Sequence, residues 1–194
     1  MKSHSRKAHK RANLIIRCFH SKYIQSLVAS YKVYVRSILE YSSVSWNPYL
    51  IKDIKALESV QLQRYLTKRL PGMEKLTYRW HFSILELDSL ELHRVRADLL
   101  CTYKLVFGLI DARLHDFFVP HLNEARKGHH YKLYLPTCKW KIRSNSFSYR
   151  VIQKWNSLPI RIHYILQVKR FHKSLAPEVL LPYCNLLFSW LCCI

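Results

Sequence analysis

Carboxylates are few in this chain and missing from long parts of it. Residues 1–39 carry nine Lys and Arg and no Asp or Glu, and residues 125–177 carry twelve Lys and Arg, again with no acid. Residues 40–124 hold eleven of each sign, so the formal charge of +20 comes from two cationic flanks around a balanced middle. A compact chain with that charge repels itself unless a polyanion neutralises it. Surfaces that serve solubility alone mix both signs, so carboxylate-free stretches this long point to nucleic acid.

Glycine is scarcer still. The three glycines stand at 72, 108 and 128, which excludes a Gly-rich phosphate cradle. There is no G-x-S-x-G elbow and no Cys-centred signature for a nucleophile. Asp53, Asp88, Asp98, Asp111 and Asp116 are dispersed rather than paired, which argues against two-metal phosphoryl transfer. The densest acidic patch, Glu86, Asp88 and Glu91, fits the start of a helix, where carboxylates complement the dipole. The six cysteines lack the two-to-four-residue gaps of a zinc site. No catalytic residue, metal or cofactor is therefore expected. Scattered cysteines without a signal peptide suggest reduced, buried thiols in an intracellular setting, the nucleus included.

What the chain does have is apolar and aromatic material, 49% and 13% of 194 residues, enough to bury a core. Its periodicity is mostly helical. The basic N-terminus runs into Leu14, Ile15, Cys18 and Phe19 at helical spacing, and Ile24, Leu27, Val28, Tyr31, Tyr34, Val35 and Ile38 form a second stripe that Ser42, Ser43 and Pro48 interrupt. Ile51, Ile54, Leu57 and Val60 predict a helix over 51–70, and Leu92, Val95, Leu99, Tyr103, Val106 and Ile110 predict another that ends near Gly108. Period-2 runs at Tyr131, Leu133, Leu135 and at Trp140, Ile142 flank Pro136 and predict a small β-hairpin over 131–142. Phe147, Val151, Ile152 and Trp155 return to helix until Pro159, and a short helix is expected around 168–175. The apolar tail beyond Val179 falls short of a bilayer span and contains Pro182 and Asn185.

The C-terminal cationic flank interleaves charge with rings. Lys127, Lys132, Lys139, Lys141, Arg143, Arg150 and Lys154 are candidates for phosphate contact. His129, Tyr131, Tyr134, Trp140 and Tyr149 are candidates for stacking on bases or bonding to the backbone. Trp155 shares a face with Phe147 and Val151 and reads as core. Arg150 and Lys154 are expected to face outward from that helix.

Five blocks in order, ILEYSSVSWNPY at 38–49, KDIKALESVQ at 52–61, LPGM at 70–73, GHHYKLYLP at 128–136 and RSNSFSYRVIQKWNSLP at 143–159, resemble the region that follows the catalytic palm in reverse transcriptases of non-LTR (LINE-type) retrotransposons. The resemblance runs from about residue 5 to 175 and implies a mainly α fold: a helical thumb-like bundle over 1–71 and a basic helical extension with a small β-hairpin over 72–175. An apolar tail, 176–194, follows. It implies that Trp46, Asn47 and Pro48 form a structural corner of the thumb, with Val60 and Gln61 on its second helix. Gly128, His129, Lys132, Arg143, Arg150, Trp155 and Asn156 would belong to the basic extension. That family's polymerase aspartates have no counterpart here. The expectation is a non-catalytic fragment that binds RNA, DNA or an RNA–DNA hybrid through Lys127, His129, Lys132, Lys139, Lys141, Arg143, Arg150 and Lys154. The alternative is a basic membrane-associated protein whose tail inserts.

Overall fold

The structure, a computed structural model, describes residues 2–18, 23–61, 88–121 and 130–184. Among them the chain is mainly helical, with a single two-stranded antiparallel pair. It divides into two compact units. The first comprises Met1–Ser43 and Pro48–Glu91, the second Val44–Asn47 and Leu92–Ile194. Trp46 and Asn47 go with the second unit.

In the first unit α1 (Lys2–Cys18) packs against α2 (Ile24–Tyr31), a π-helical turn (Lys32–Arg36), α3 (Ser37–Glu40) and α4 (Ile51–Gln61). The buried stripe of α1 is Ala8, Ala12 and Ile15, while Leu14 and Cys18 stay exposed. Small side chains at helical spacing let neighbouring backbones come close, and Ser5 donates from α1 to the Ala56 carbonyl of α4 at 3.3 Å. The π turn adds a residue to the helical repeat. Val35 and Arg36 are both buried in consequence, and the Arg36 guanidinium bonds Glu40 at 2.7 Å. The helix ends at Glu40, where Ser42 takes a left-handed φ of 52°. The Tyr31 hydroxyl is buried with no hydrogen-bond partner among the described residues. Burial pushes its pKa well up, with Arg36 pulling against the shift and Glu58 and Glu40 adding to it.

The second unit is built on α5 (Leu90–Val106), which belongs to it from Leu92 onward. Leu92, Val95, Leu99 and Tyr103 form the expected apolar stripe and are buried, but Arg94, Arg96, Asp98 and Thr102 are buried as well. A helix enclosed on all sides must find partners for its polar face. Arg96 donates to the Leu175 carbonyl at 3.2 Å, a cation at a helix C-terminus. Arg94 lies over the Trp46 ring at 5.2 Å, Thr102 bonds back to the Asp98 carbonyl, and Asp98 pairs with Arg150. The helix closes in a Schellman arrangement: Gly108 has φ +62°, its N–H donates to the Leu105 carbonyl, and the Leu109 N–H donates to the Lys104 carbonyl at 2.8 Å.

Around α5 stand α6 (Leu114–Phe117), β1 (Val119–Pro120), β2 (Leu133–Tyr134), α7 (Lys141–Ser144), α8 (Phe147–Ser157), α9 (Ile160–His163), α10 (Val168–Ser174) and α11 (Pro177–Leu180), followed by a 3-10 turn at Leu181–Tyr183. The small β element is present but not between the segments expected. β2 pairs with β1, Val119 opposite Tyr134 and Pro120 opposite Leu133. Lys141–Ser144, expected to be its partner strand, is a helical turn. The core gathers Leu99, Tyr103, Phe118, Leu133, Val151, Ile152, Trp155, Phe171 and Leu175, with Tyr103 stacked on Phe171 at 4.2 Å. Each such side chain contributes about 1.5–3 kcal/mol by leaving water. Leu180 and Cys184 are buried in the same core, so the tail docks at least this far.

Candidate nucleic-acid interface

The segment from Pro136 to Arg143 presents exposed cations beside an exposed indole in the second unit. Lys139, Lys141 and Arg143 are exposed, and between them Trp140 is 77% and Ile142 80% exposed. Trp140 is extended backbone at the cap of α7, and the helical turn that follows fans Lys141, Ile142 and Arg143 outward. A strand would have covered one of its faces. Asn145 Nδ2 and Ser144 Oγ both donate to the Lys141 carbonyl, at 2.7 and 2.9 Å, and fix this turn. Arg143 then lies over the Tyr149 ring at 5.4 Å.

Behind this ridge is a groove of about 390 Å³ lined by aromatic and polar residues, among them Phe117, Tyr134, Arg143, Tyr149 and Asp116. Phe117 is anchored by edge contacts to Phe147. Asp116 accepts from Arg113 at 3.3 Å in a solvent-exposed pair. In the first unit a larger groove, about 650 Å³, is lined by His4, Lys7, Lys10 and Arg11 of α1 and by Tyr41.

The predicted contact residues separate into four groups. Lys139, Lys141 and Arg143 stand together on the ridge. Lys132 and Lys154 are half-buried. Lys127 and His129 lie outside the described residues, as does Gly128. Arg150 corrects the expectation that it faces outward. Its side chain is 10% exposed, and it holds the Asp98 carboxylate from two sides, Nε to Oδ2 at 2.9 Å and Nη2 to Oδ1 at 2.8 Å. It also donates to the carbonyls of Val44 at 2.7 Å and Asn145 at 3.2 Å. The acid missing from its own flank comes from α5. Burial pushes the Asp98 carboxyl up, opposed by the hydrogen bonds and charge of Arg150 and by the charges of Lys154 and Arg94.

Trp155 and Asn156 are occupied by the fold. Trp155 is fully buried, and its Nε1 donates to the Tyr131 carbonyl at 2.8 Å. Asn156 accepts the Leu133 N–H at 3.0 Å and donates to the Leu133 carbonyl at 2.8 Å. Tyr131, expected to be free for stacking, packs between Phe107 and Tyr164 against the core. Tyr134 stays about half exposed.

The groove residues His115, Asp116 and Phe117 were not legible as a site, because nothing in their spacing says that α7 and α8 meet them. The α1 groove had a signal in the acid-free N-terminal flank. Among the described residues no group of His, Cys, Asp and Glu could hold a metal ion, and no helix is long and apolar enough to cross a membrane. The described cysteines, Cys18, Cys101, Cys138 and Cys184, are thiols rather than disulfides, and only Cys184 is buried. No protein-family model matches the chain, and no curated protein or solved structure is significantly similar to it.

Proposed function

We propose that this protein is a non-catalytic nucleic-acid-binding module, derived from the thumb and C-terminal region of a retrotransposon RNA-directed DNA polymerase, whose contact surface is the ridge Lys139–Arg143. One observation carries this reading: Trp140 stands 77% exposed between two lysines on a surface segment with no acidic residue within it. Leaving an indole in water forgoes its burial energy. A face-on contact with a base recovers it, and cations spaced beside the ring neutralise the adjoining phosphates. Arg143, held over Tyr149 and exposed, adds a guanidinium suited to phosphate. The cationic groove on α1 is consistent with the same class of partner.

Under this reading Lys139, Lys141 and Arg143 act through charge and Trp140 through stacking. Truncating each cation to Ala should lower the slope of log affinity against log salt by about 0.7 on a single strand or about 0.9 on B-DNA. Trp140→Ala should weaken binding by about 1–3 kcal/mol with little change in that slope. Fluorescence anisotropy of a labelled oligonucleotide titrated at several salt concentrations measures both. Unchanged affinity and slope in the triple cation variant would overturn the proposal.

A further inference from the structure

The second-unit groove has one lining residue that phosphate contact does not explain, Asp116. It shares the groove with Arg143, Tyr134, Tyr149 and Phe117. A carboxylate repels a sugar–phosphate chain and accepts only N–H or O–H donors, so its ligand there must present donors. Phe117 and Tyr134 keep 41% and 48% of their surface exposed, which leaves ring faces available to a planar ligand. A groove of about 390 Å³ is at the small end of ligand sites and suits a nucleoside rather than a duplex edge.

We infer that this groove takes one unpaired nucleobase, guanine in preference to uracil, with Asp116 accepting its N1–H and amino N–H and the aromatic side chains stacking on its face. The inference rests on the nucleic-acid reading above and adds which strand and which base. Guanine offers two parallel donors that match the two oxygens of a carboxylate. Uracil offers a single imide N–H between carbonyls, which the carboxylate repels. In a duplex those donors are already paired, so the base must be unstacked to enter. The Arg113 contact does not compete strongly, because an exposed ion pair of this kind is weak. Arg143, at the junction of groove and ridge, keeps the phosphate of the bound nucleotide near the cations.

The probe is a labelled twelve-nucleotide uridine RNA, compared with the same strand carrying one central guanosine or one inosine, which keeps N1–H but lacks the amino group. The expected order is guanosine over inosine over uridine, with guanosine favoured by about tenfold, within the range a bidentate base contact supplies. Asp116→Asn should bring that preference below about twofold without weakening the all-uridine strand, since the lost charge only repelled its phosphates. Tyr149→Phe, which keeps the ring, should retain the preference. Thermal unfolding of each variant confirms that the fold is kept. If all strands bind equally in the wild type, or if Asp116→Asn keeps the guanosine preference, the inference fails while the wider reading stands. If no strand binds, both fail together.

Discussion

Replacing Arg150 by Met tests whether this cation belongs to the fold or to a ligand. The substitution keeps the length of the side chain but removes the two hydrogen bonds to Asp98 and those to the carbonyls of Val44 and Asn145. Asp98, only 1% exposed, would remain as a buried carboxylate without its main counter-charge. Breaking a buried pair from one side costs about 3–5 kcal/mol, far more than a surface pair. With a urea slope near 2 kcal/mol per M, the midpoint should fall by roughly 2 M, followed by circular dichroism. The sign of the pH dependence is a second readout. The folded Asp98 carboxyl lies above its ordinary value because burial outweighs Arg150. Loss of Arg150 raises it further. A carboxyl raised in the folded state contributes stability that is fully present below its unfolded value and is lost as pH rises through the folded one. Arg150→Met should therefore recover part of its deficit as the pH is lowered toward the ordinary carboxylate range, relative to wild type over the same interval. Asp98→Asn in the same background should also recover part of it. A midpoint unchanged from wild type, together with weaker RNA binding and a shallower salt slope, would refute the structural assignment and return Arg150 to the contact surface.

Two further substitutions probe the polar framework. Asn156→Ala removes both partners of the Leu133 backbone and should cost about 1–3 kcal/mol of chemical stability, since Leu133 is buried and its groups lose their bonds; a cost below measurement error would mean that water replaces the amide. Tyr31→Phe deletes a buried hydroxyl that lacks a hydrogen-bond partner among the described residues, so thermal unfolding should show an unchanged or higher midpoint, and a large loss would reveal a partner for that hydroxyl.

The helices were legible because their signals are local. Ile54 and Leu57, Leu92 through Tyr103, and Val151 through Trp155 are buried at the spacing that periodicity assigns them. Gly108 and Pro159 end helices where backbone chemistry requires it, Leu158 taking extended angles before the proline. What escaped depends on which distant segments meet. The alternation of Trp140 and Ile142 resembles a strand, but β2 already pairs with β1, and with no other partner the segment coils into a helical turn with both side chains outward. The absence of nearby acids made Arg150 read as a surface cation, when its partner stands 52 positions away on α5. Lys139, Lys141 and Arg143, read from the same absence of acids, are exposed.

Asn156 has an effect beyond its own hydrogen bonds. Lys132 faces β1 through its carbonyl, which accepts the His121 N–H, so the alternation of a strand turns the Leu133 amide and carbonyl to the opposite edge. The carboxamide of Asn156 occupies both groups there, as a third strand would. A ribbon of two strands is thereby closed to a neighbouring copy that would extend it. For a chain that carries so many aromatic residues, one amide plug on one edge guards against the conversion of a small sheet into a growing fibre.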